Sequence, residues 1–183
     1  MAVVLPSANE GDAAARSKRV RVAAFDVDGV LTDGSLYYSD GGEEFKAFNV
    51  QDGHGLRMLQ ESGVAIAIIT SRTSKLVANR ARNLGIEHLY QGVENKREAM
   101  DALLQQLGLE WSATSFMGDD VIDLPVLRRC GFAVAVPEAP ALVRHHAHYV
   151  TRASGGRGAV REMAEFVMHA QGTLETALAR YLA

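Results

Sequence analysis

Two aspartates stand two residues apart at the end of a short apolar run, in the stretch VAAFDVDGVLTDG (22–34). The run predicts a strand that is covered on both faces, so Asp26 and Asp28 would place two carboxylates at its carboxyl end. Carboxylates crowded there raise one another's pKa unless a cation neutralises them. Two aspartates after a strand are also typical of ordinary turns, so the assignment of a site depends on the residues that join them.

Further polar residues follow the next apolar runs along the chain. Thr70 ends the second run, Lys96 follows the third, and Asp119 and Asp120 follow the fourth. Because the carboxyl ends of parallel strands share one edge of a sheet, these side chains are expected to converge. Oxygen ligands without a neighbouring Cys or His pair favour Mg²⁺, with Mn²⁺ as a second choice, over Zn²⁺ or Cu²⁺.

The same edge carries groups that suit a phosphate. Thr70 ends a strand, and SRTS (71–74) opens a helix whose first N–H groups bind anions. With Lys96 and a metal neutralising the phosphate, Asp26 is a competent nucleophile that would form an aspartyl-phosphate. Asp28 can protonate the leaving oxygen and later take a proton from water. The pattern therefore predicts hydrolysis of a phosphate monoester.

Apolar runs alternate with helical segments throughout the chain. This alternation predicts an α/β fold with a doubly wound, Rossmann-like parallel sheet and helices on both faces. The predicted strands are 21–27, 64–70, 88–91, 114–119, 132–136 and 148–151. The predicted helices are 53–63, 73–85, 95–108, 120–131, 139–148 and 158–183, the last interrupted near Gly172.

One segment breaks the alternation. Residues 35–50 contain two β-type runs around SDGGEE, which predicts a β-hairpin directly beside the aspartates. We expect residues 1–18 to be a loose tail and residues 19–183 to form a single domain without a separate cap domain. Residues 154–183 form the predicted C-terminal loop and helix of that domain.

Composition excludes several classes of protein. The chain has 183 residues, of which 48% are hydrophobic and 22% charged, and its net charge is −3. Neither nucleic acid nor an anionic membrane is expected as the main partner, and no apolar run approaches the length of a membrane span. Cys130 is the one cysteine, so no internal disulfide forms, and a cytoplasmic location is expected.

Four segments resemble the motifs of the haloacid dehalogenase superfamily of phosphohydrolases. They are DVDGVLTDG (26–34), IITSR (68–72), NK (95–96) and GDDVIDLP (118–125), and they occur in the order of that family. One departure is Ser71, at a position where the family commonly has glycine. The resemblance covers nearly the whole chain and implies the superfamily's α/β fold and its metal-dependent phosphatase activity.

The resemblance implies a role for each charged residue at the strand ends. Asp26 would be the nucleophile and Asp28 the general acid and base. Thr70 and Lys96 would contact the phosphate. The implied metal ligands are Asp26, the carbonyl of Asp28, and Asp119, with Asp120 and Asp123 shaping the site behind them.

A narrower resemblance is carried by residues 42–59, 88–96 and 149–163. They resemble the branch of the superfamily that dephosphorylates an eight-carbon sugar acid on the route to the lipopolysaccharide core sugar. Arginines suit its carboxylate, which a guanidinium grips at two points. The implied substrate contacts are Asp28, Asn49, Val50, Gln51, Asp52, Gly53, Arg57, Arg72, Arg80 and Lys96.

This branch also implies an assembly. A chain without a cap domain leaves its site open, and the resemblance implies a homotetramer in which hairpins and C-terminal segments of adjacent subunits cover it. The glycine-rich segment SGGRGAV (154–160) is expected to close over a neighbour's site, although it could also be only a link before the last helix.

Two alternatives remain open. A phosphatase of nine-carbon sugar-acid 9-phosphates has a similar site outline, and Arg72 with Arg80 favours the eight-carbon acid. A non-catalytic oligomerisation module is the alternative from another class. The presence of Asp26, Lys96 and Asp119 argues against it, because such a module can lose its acids freely.

Overall fold

A computed structural model describes residues 10–182 and has a six-stranded parallel sheet at its centre. The strands are β1 (Val22–Phe25), β2 (Tyr37–Tyr38), β3 (Glu44–Phe45), β4 (Ala65–Ile69), β5 (His88–Tyr90), β6 (Thr114–Gly118), β7 (Phe132–Ala135) and β8 (Tyr149–Val150). The central sheet has the order β5-β4-β1-β6-β7-β8, and β2 and β3 form a separate antiparallel pair. The doubly wound α/β class predicted from the sequence is confirmed.

Helices alternate with the strands of the central sheet. They are α1 (Glu10–Ser17), α2 (Val50–Glu61), α3 (Lys75–Leu84), α4 (Lys96–Leu107), α5 (Leu124–Leu127), α6 (Ala141–His145), α7 (Ala159–Gln171) and α8 (Leu174–Ala179). Two short 3₁₀ turns cover Trp111–Ala113 and Val121–Asp123. Within the described part of the chain, none of these helices has both the length and the apolar character needed to cross a bilayer.

The core is buried because helices cover both faces of the sheet. All residues of β1 and β7 are buried, as the continuous apolar runs VAAF and FAVA require. Helix α7 packs against α1 and α2, while α4 packs against α5. Phe25, Phe116 and Phe132 are among the largest fully buried side chains of this core.

The order of the strands places two strand ends side by side. β1 lies between β4 and β6, so β4 and β5 are added on one side of β1 and β6, β7 and β8 on the other. Ligands of such sheets bind at this reversal, outside the carboxyl ends of the strands. Phe25 of β1 is in register with Met117 of β6, and the backbone N–H of Asp26 donates to the carbonyl of Met117 at 3.0 Å. Asp26 and Asp119 therefore emerge next to each other.

The hairpin forms within the predicted range but with short strands. β2 and β3 pair Tyr37 with Phe45 around the turn that contains the glycine pair. The predicted range of 35–50 ends inside α2, because the side chain of Asn49 already accepts hydrogen bonds from the first N–H groups of that helix. Four apolar side chains of the hairpin region are exposed: Leu36, Tyr37, Tyr38 and Phe45.

The N-terminal segment differs from the predicted loose tail. Residues 1–9 lie outside the described residues, but Glu10–Ser17 forms a helix. Ala13 is buried, Arg16 donates to the carbonyl of Gly131 at 3.1 Å, and the helix packs against α7. The segment is short and polar, so its contact with the core depends on tertiary packing that the local pattern does not reveal.

The glycine-rich segment (154–160) packs against its own chain, beside the turn that follows Asp28. The N–H of Gly156 donates to the carbonyl of Val30 at 2.9 Å. A Cβ atom on Gly155 would lie 1.8 Å from the carbonyl oxygen of Gly29. The missing side chains thus allow two backbones to touch directly, and this contact supports the turn that follows Asp28.

We expect Gly155→Ala to destabilise the protein by about 2 kcal/mol or more, because its methyl group would overlap the backbone of Gly29. Urea unfolding measures the change in the free energy of unfolding. Gly41→Ala is the matched control, since a Cβ there meets only the Ser39 hydroxyl at 3.6 Å. Equal stability of the two variants would contradict the close contact.

Candidate active site

Three carboxylates meet where β1 and β6 end. One oxygen each from Asp26, Asp119 and Asp123 lies within 4.8 Å of the other two. Asp26 follows β1, Asp119 follows β6, and Asp123 ends the 3₁₀ turn after it. Asp26 is only 4% exposed and Asp123 is completely buried. This acidic cluster lies at the switch point of the sheet.

Lys96 supplies the positive charge of the cluster. Its Nζ lies 2.9 Å from Oδ1 of Asp26 and 2.7 Å from Oδ1 of Asp123. The side chain of Asn95 caps α4 by accepting from the N–H of Arg97, so the helix begins at Lys96 beside the carboxylates. Burial alone would lower the pKa of Lys96, but Asp123 and Asp26 outweigh it and raise the pKa.

Asp123 holds the loop after β6 in place. Its Oδ2 accepts the backbone N–H groups of Asp119 at 3.0 Å and Asp120 at 3.3 Å, while its Oδ1 binds Lys96. A Cβ on Gly118 would lie 2.5 Å from Oδ2 of Asp123, so only glycine leaves room for this carboxylate. Both oxygens of Asp123 are therefore occupied by hydrogen bonds from the protein itself.

Asp119 has an oxygen with no partner. Its Oδ1 is buried and has no hydrogen-bond partner among residues 10–182. Burial, together with the charges of Asp26 and Asp123, raises the pKa of Asp119 to about 8. Burial and the charge of Asp123 likewise raise the pKa of Asp26 to about 6. Buried carboxylates short of positive charge, with only oxygen ligands, fit a hard divalent cation such as Mg²⁺.

Asp28 faces the hairpin rather than the acidic cluster. Its Oδ1 accepts a hydrogen bond from Lys46, and its Oδ2 lies 3.8 Å from Nε of Arg72. The side chain of Lys46 is only 1% exposed. Lys46 is a residue that the sequence analysis missed. The signal was present, because Glu44 and Lys46 alternate with Phe45 and so lie on one face of a predicted hairpin beside the aspartates.

Thr70 lies at the same edge of the sheet, directly after β4. It is buried, its N–H donates to the carbonyl of Tyr90 at 2.9 Å, and its carbonyl accepts from Val93 at 3.1 Å. These bonds fix its backbone between β4 and β5. The predicted strand-end residues Asp26, Thr70, Lys96 and Asp119 thus lie along one edge, as the topology requires.

Several predicted substrate contacts have other partners in the structure. Asp52 is buried, and its carboxylate accepts the N–H groups of Gly158 at 3.2 Å and Arg161 at 2.9 Å. Asp52 therefore caps α7, and its contact with the substrate stays a prediction. Asn49 caps α2 through its side chain. Val50 and Gln51 begin that helix with exposed side chains.

The three predicted arginines lie in two places. Arg72 reaches Asp28, whereas Arg57 donates to the carbonyl of Asn83 and Arg80 donates to the carbonyl of Asn49 at 3.0 Å. Arg57 and Arg80 thus tie α2 to α3 within this chain. Gly53 also belongs to this contact, since a Cβ there would lie 2.1 Å from Nη2 of Arg80.

Comparison with known proteins agrees with this geometry. A family model described as haloacid dehalogenase-like hydrolase matches residues 89–163. The 3-deoxy-D-manno-octulosonate 8-phosphate phosphatase KdsC of Escherichia coli K12 is 48% identical over 166 residues, which cover 91% of this chain and 88% of that protein.

Two solved structures share the fold. The 3-deoxy-D-manno-octulosonate 8-phosphate phosphatase of Moraxella catarrhalis, in complex with magnesium, phosphate and KDO, is 41% identical with a TM-score of 0.92, over 93% of this chain and 98% of that one. The cobalt-bound enzyme of Haemophilus influenzae is 37% identical with a TM-score of 0.85, over 88% and 94% of the two chains.

We expect Asp119→Asn to change how the stability of the metal-free protein depends on pH. The pKa of Asp119 rises from about 4 in the unfolded chain to about 8 in the folded protein. The folded state then binds more protons between these values, so its stability falls as pH rises from about 4 to about 8. Asparagine cannot ionise, so the variant should lose less stability over this range.

Urea unfolding in the presence of a chelator measures this difference. At pH 8 the variant should be more stable than the parent protein by on the order of 1–3 kcal/mol, and the gap should narrow towards pH 5. Saturating Mg²⁺ should then stabilise the parent protein more than the variant. Parallel pH profiles, or equal stabilisation by Mg²⁺, would contradict the role of Asp119 in the cluster.

Proposed function

The chain belongs to the haloacid dehalogenase-like hydrolases, and we propose that it hydrolyses 3-deoxy-D-manno-octulosonate 8-phosphate to the free sugar acid and phosphate. The observation that carries the proposal is the acidic cluster of Asp26, Asp119 and Asp123 around Lys96 at the switch point of the sheet. The proposal is also supported by similar proteins that are named for this activity and that align with about nine-tenths of the chain.

The proposed cofactor is Mg²⁺. The oxygens that remain for it belong to Asp26 and Asp119, together with the carbonyl of Asp28. Bound there, Mg²⁺ neutralises the carboxylates and the phosphate, which is the chemistry that phosphoryl transfer requires. The unpartnered oxygen of Asp119 supports this assignment from the chain's own residues.

Asp26 is the proposed nucleophile. Lys96 Nζ lies 2.9 Å from its Oδ1, which fixes the carboxylate so that one of its oxygens can attack the phosphorus atom while the other remains available to the metal. The attack forms an aspartyl-phosphate while the bond from phosphorus to the sugar oxygen breaks. Lys96 and the hydroxyl of Thr70 are the proposed contacts for the phosphate oxygens, so positive charge lies where negative charge develops.

Asp28 is the proposed general acid and base. It is part of the turn that follows Asp26, and its carboxyl group is partly exposed towards the entrance of the site. In the first step it gives its proton to the departing sugar oxygen. In the second step it takes a proton from the water that attacks the aspartyl-phosphate, which restores Asp26 and releases phosphate.

Arg72 is the proposed contact for the carboxylate of the sugar acid, because its guanidinium lies beside Asp28 and is 42% exposed. A phosphatase of nine-carbon sugar-acid phosphates is not favoured, since the similar proteins are named for the eight-carbon acid. A non-catalytic module is also not favoured, since the acidic cluster and Lys96 are intact. The proposed location is the cytoplasm, in keeping with Cys130 as a buried free thiol.

We further propose that the chain assembles as a homotetramer in which neighbouring subunits cover the site. The hairpin supports this, because Glu44 faces the site while Tyr38 and Phe45 are more than half exposed. Exposed apolar groups concentrated on one small element are typical of protein interfaces. No separate cap domain lies over the acidic cluster among residues 10–182.

Asp26→Asn should lower kcat on 3-deoxy-D-manno-octulosonate 8-phosphate about 10³-fold or more, because an amide cannot form the aspartyl-phosphate. Release of inorganic phosphate is the measurement, on a panel of sugar phosphates with and without a chelator. Asp40→Asn in the hairpin turn is the control and should retain activity. Full activity of Asp26→Asn, or activity that resists the chelator, would overturn the proposed mechanism.

Phe45→Ser should shift the tetramer to smaller species, because it removes an exposed aromatic ring from the hairpin. Sedimentation velocity measures the assembly state. Leu142→Ser on α6 is the matched control, since Leu142 is 54% exposed and Phe45 is 53% exposed. If Phe45→Ser leaves the assembly unchanged, the hairpin is not the interface.

A further inference from the structure

Four charged side chains form a cluster at the entrance of the site, which we call the entrance cluster: Asp28, Glu44, Lys46 and Arg72. Oε1 of Glu44 lies 2.6 Å from Nη2 of Arg72 and 3.5 Å from Nζ of Lys46. Lys46 also binds Asp28, and the hydroxyl of Tyr38 accepts a hydrogen bond from Arg72 at 3.4 Å. Glu44 thus lies between both cations.

The two cations of the entrance cluster differ in their access to a ligand. Lys46 is 1% exposed and is enclosed by the two carboxylates, whereas Arg72 is 42% exposed. A substrate carboxylate that approached Arg72 would meet Oε1 of Glu44, which already lies 2.6 Å from Nη2, and two carboxylates in contact repel each other.

We propose that Glu44 occupies the place on Arg72 that the carboxylate of the sugar acid takes when it binds, so that Glu44 acts as an internal competitor. This inference rests on the proposed function. On binding, the guanidinium exchanges one carboxylate for another, which suits its two-point geometry. Lys46, already 3.5 Å from Glu44, retains Glu44 when Arg72 is released.

The exchange gives the site a means of selection. A phosphate ester without a carboxylate cannot replace Glu44 on Arg72, so Arg72 stays paired within the protein and contributes nothing to its binding. A sugar acid instead forms an ion pair with Arg72 that replaces the pair between Glu44 and Arg72. Discrimination then comes from a competing contact that only the correct substrate displaces.

The test measures inhibition by the free sugar acid, 3-deoxy-D-manno-octulosonate, for Glu44→Gln and for the neighbouring Glu43→Gln as the matched control. The side chain of Glu43 is exposed, and Glu43 carries the same charge on the same segment, directly before β3, without belonging to the entrance cluster. Removing the competing charge should lower the inhibition constant about fivefold, the size expected for a partly exposed ion pair. Glu43→Gln should leave it unchanged.

A comparison of substrates adds a second measurement. The KM for 3-deoxy-D-manno-octulosonate 8-phosphate should fall more in Glu44→Gln than the KM for p-nitrophenyl phosphate, which has no carboxylate. In an Arg72→Ala background, Glu44→Gln should no longer change the inhibition constant, since the two changes act on one contact. An effect that persists without Arg72 would overturn the proposal.

Other outcomes are also decisive. A higher inhibition constant in Glu44→Gln would show that Glu44 orients Arg72 for the substrate, and an effect equal to that of Glu43→Gln would show that Glu44 is not a competitor. Either result overturns the inference and leaves the proposed function intact. A parent protein that hydrolyses p-nitrophenyl phosphate but neither hydrolyses nor binds the sugar acid would instead overturn the proposed function.

Discussion

The ammonium group of Lys96 between Asp26 and Asp123 is the interaction on which the site depends. A buried carboxylate pair without a cation would be strongly destabilising, and Lys96 supplies the charge that lets both oxygens approach within 3 Å of its Nζ. Burial raises the pKa of Asp119, and because one cation cannot neutralise three carboxylates, the charges of Asp26 and Asp123 raise it further. The protein itself therefore leaves a deficit of positive charge, which a divalent cation would complement.

Close contacts at glycines connect the acidic cluster to the neighbouring parts of the fold. Gly118 leaves room for Asp123, and a Cβ on Gly29 would lie 2.1 Å from Oδ2 of Asp119. Gly155 then packs against the carbonyl of Gly29, and the carboxylate of Glu162 holds the chain just before it by accepting the N–H groups of residues 152 and 153. Helix α7 is thereby connected to the turn that follows Asp26.

Topology can be predicted from the sequence, whereas contacts between distant parts of the chain cannot. Alternating apolar runs predict the doubly wound sheet, and the strand-end rule brings Asp26 and Lys96 to one edge, because both inferences need only local patterns. Local alternation places Glu44 and Lys46 on one face of the hairpin, but the burial of Lys46 depends on how the hairpin lies over Asp28, which no local pattern reveals. Asp52 is assigned to the substrate by resemblance, whereas its partners Gly158 and Arg161 lie more than 100 residues away in sequence.

The site combines two electrostatic designs with different requirements. In the interior, Lys96 and Asp123 are nearly inaccessible and their bonds are fixed by strand ends and a helix cap, which suits a transition state whose charge always develops at the same place. At the entrance, Arg72 and Glu44 are partly exposed, so their pairing is weaker and can be exchanged. Phosphate chemistry then depends on the rigid charges, and recognition of the remainder of the substrate depends on the exchangeable ones. Under the proposed function, the core of the sheet supplies the reaction and the hairpin contributes to the choice of substrate.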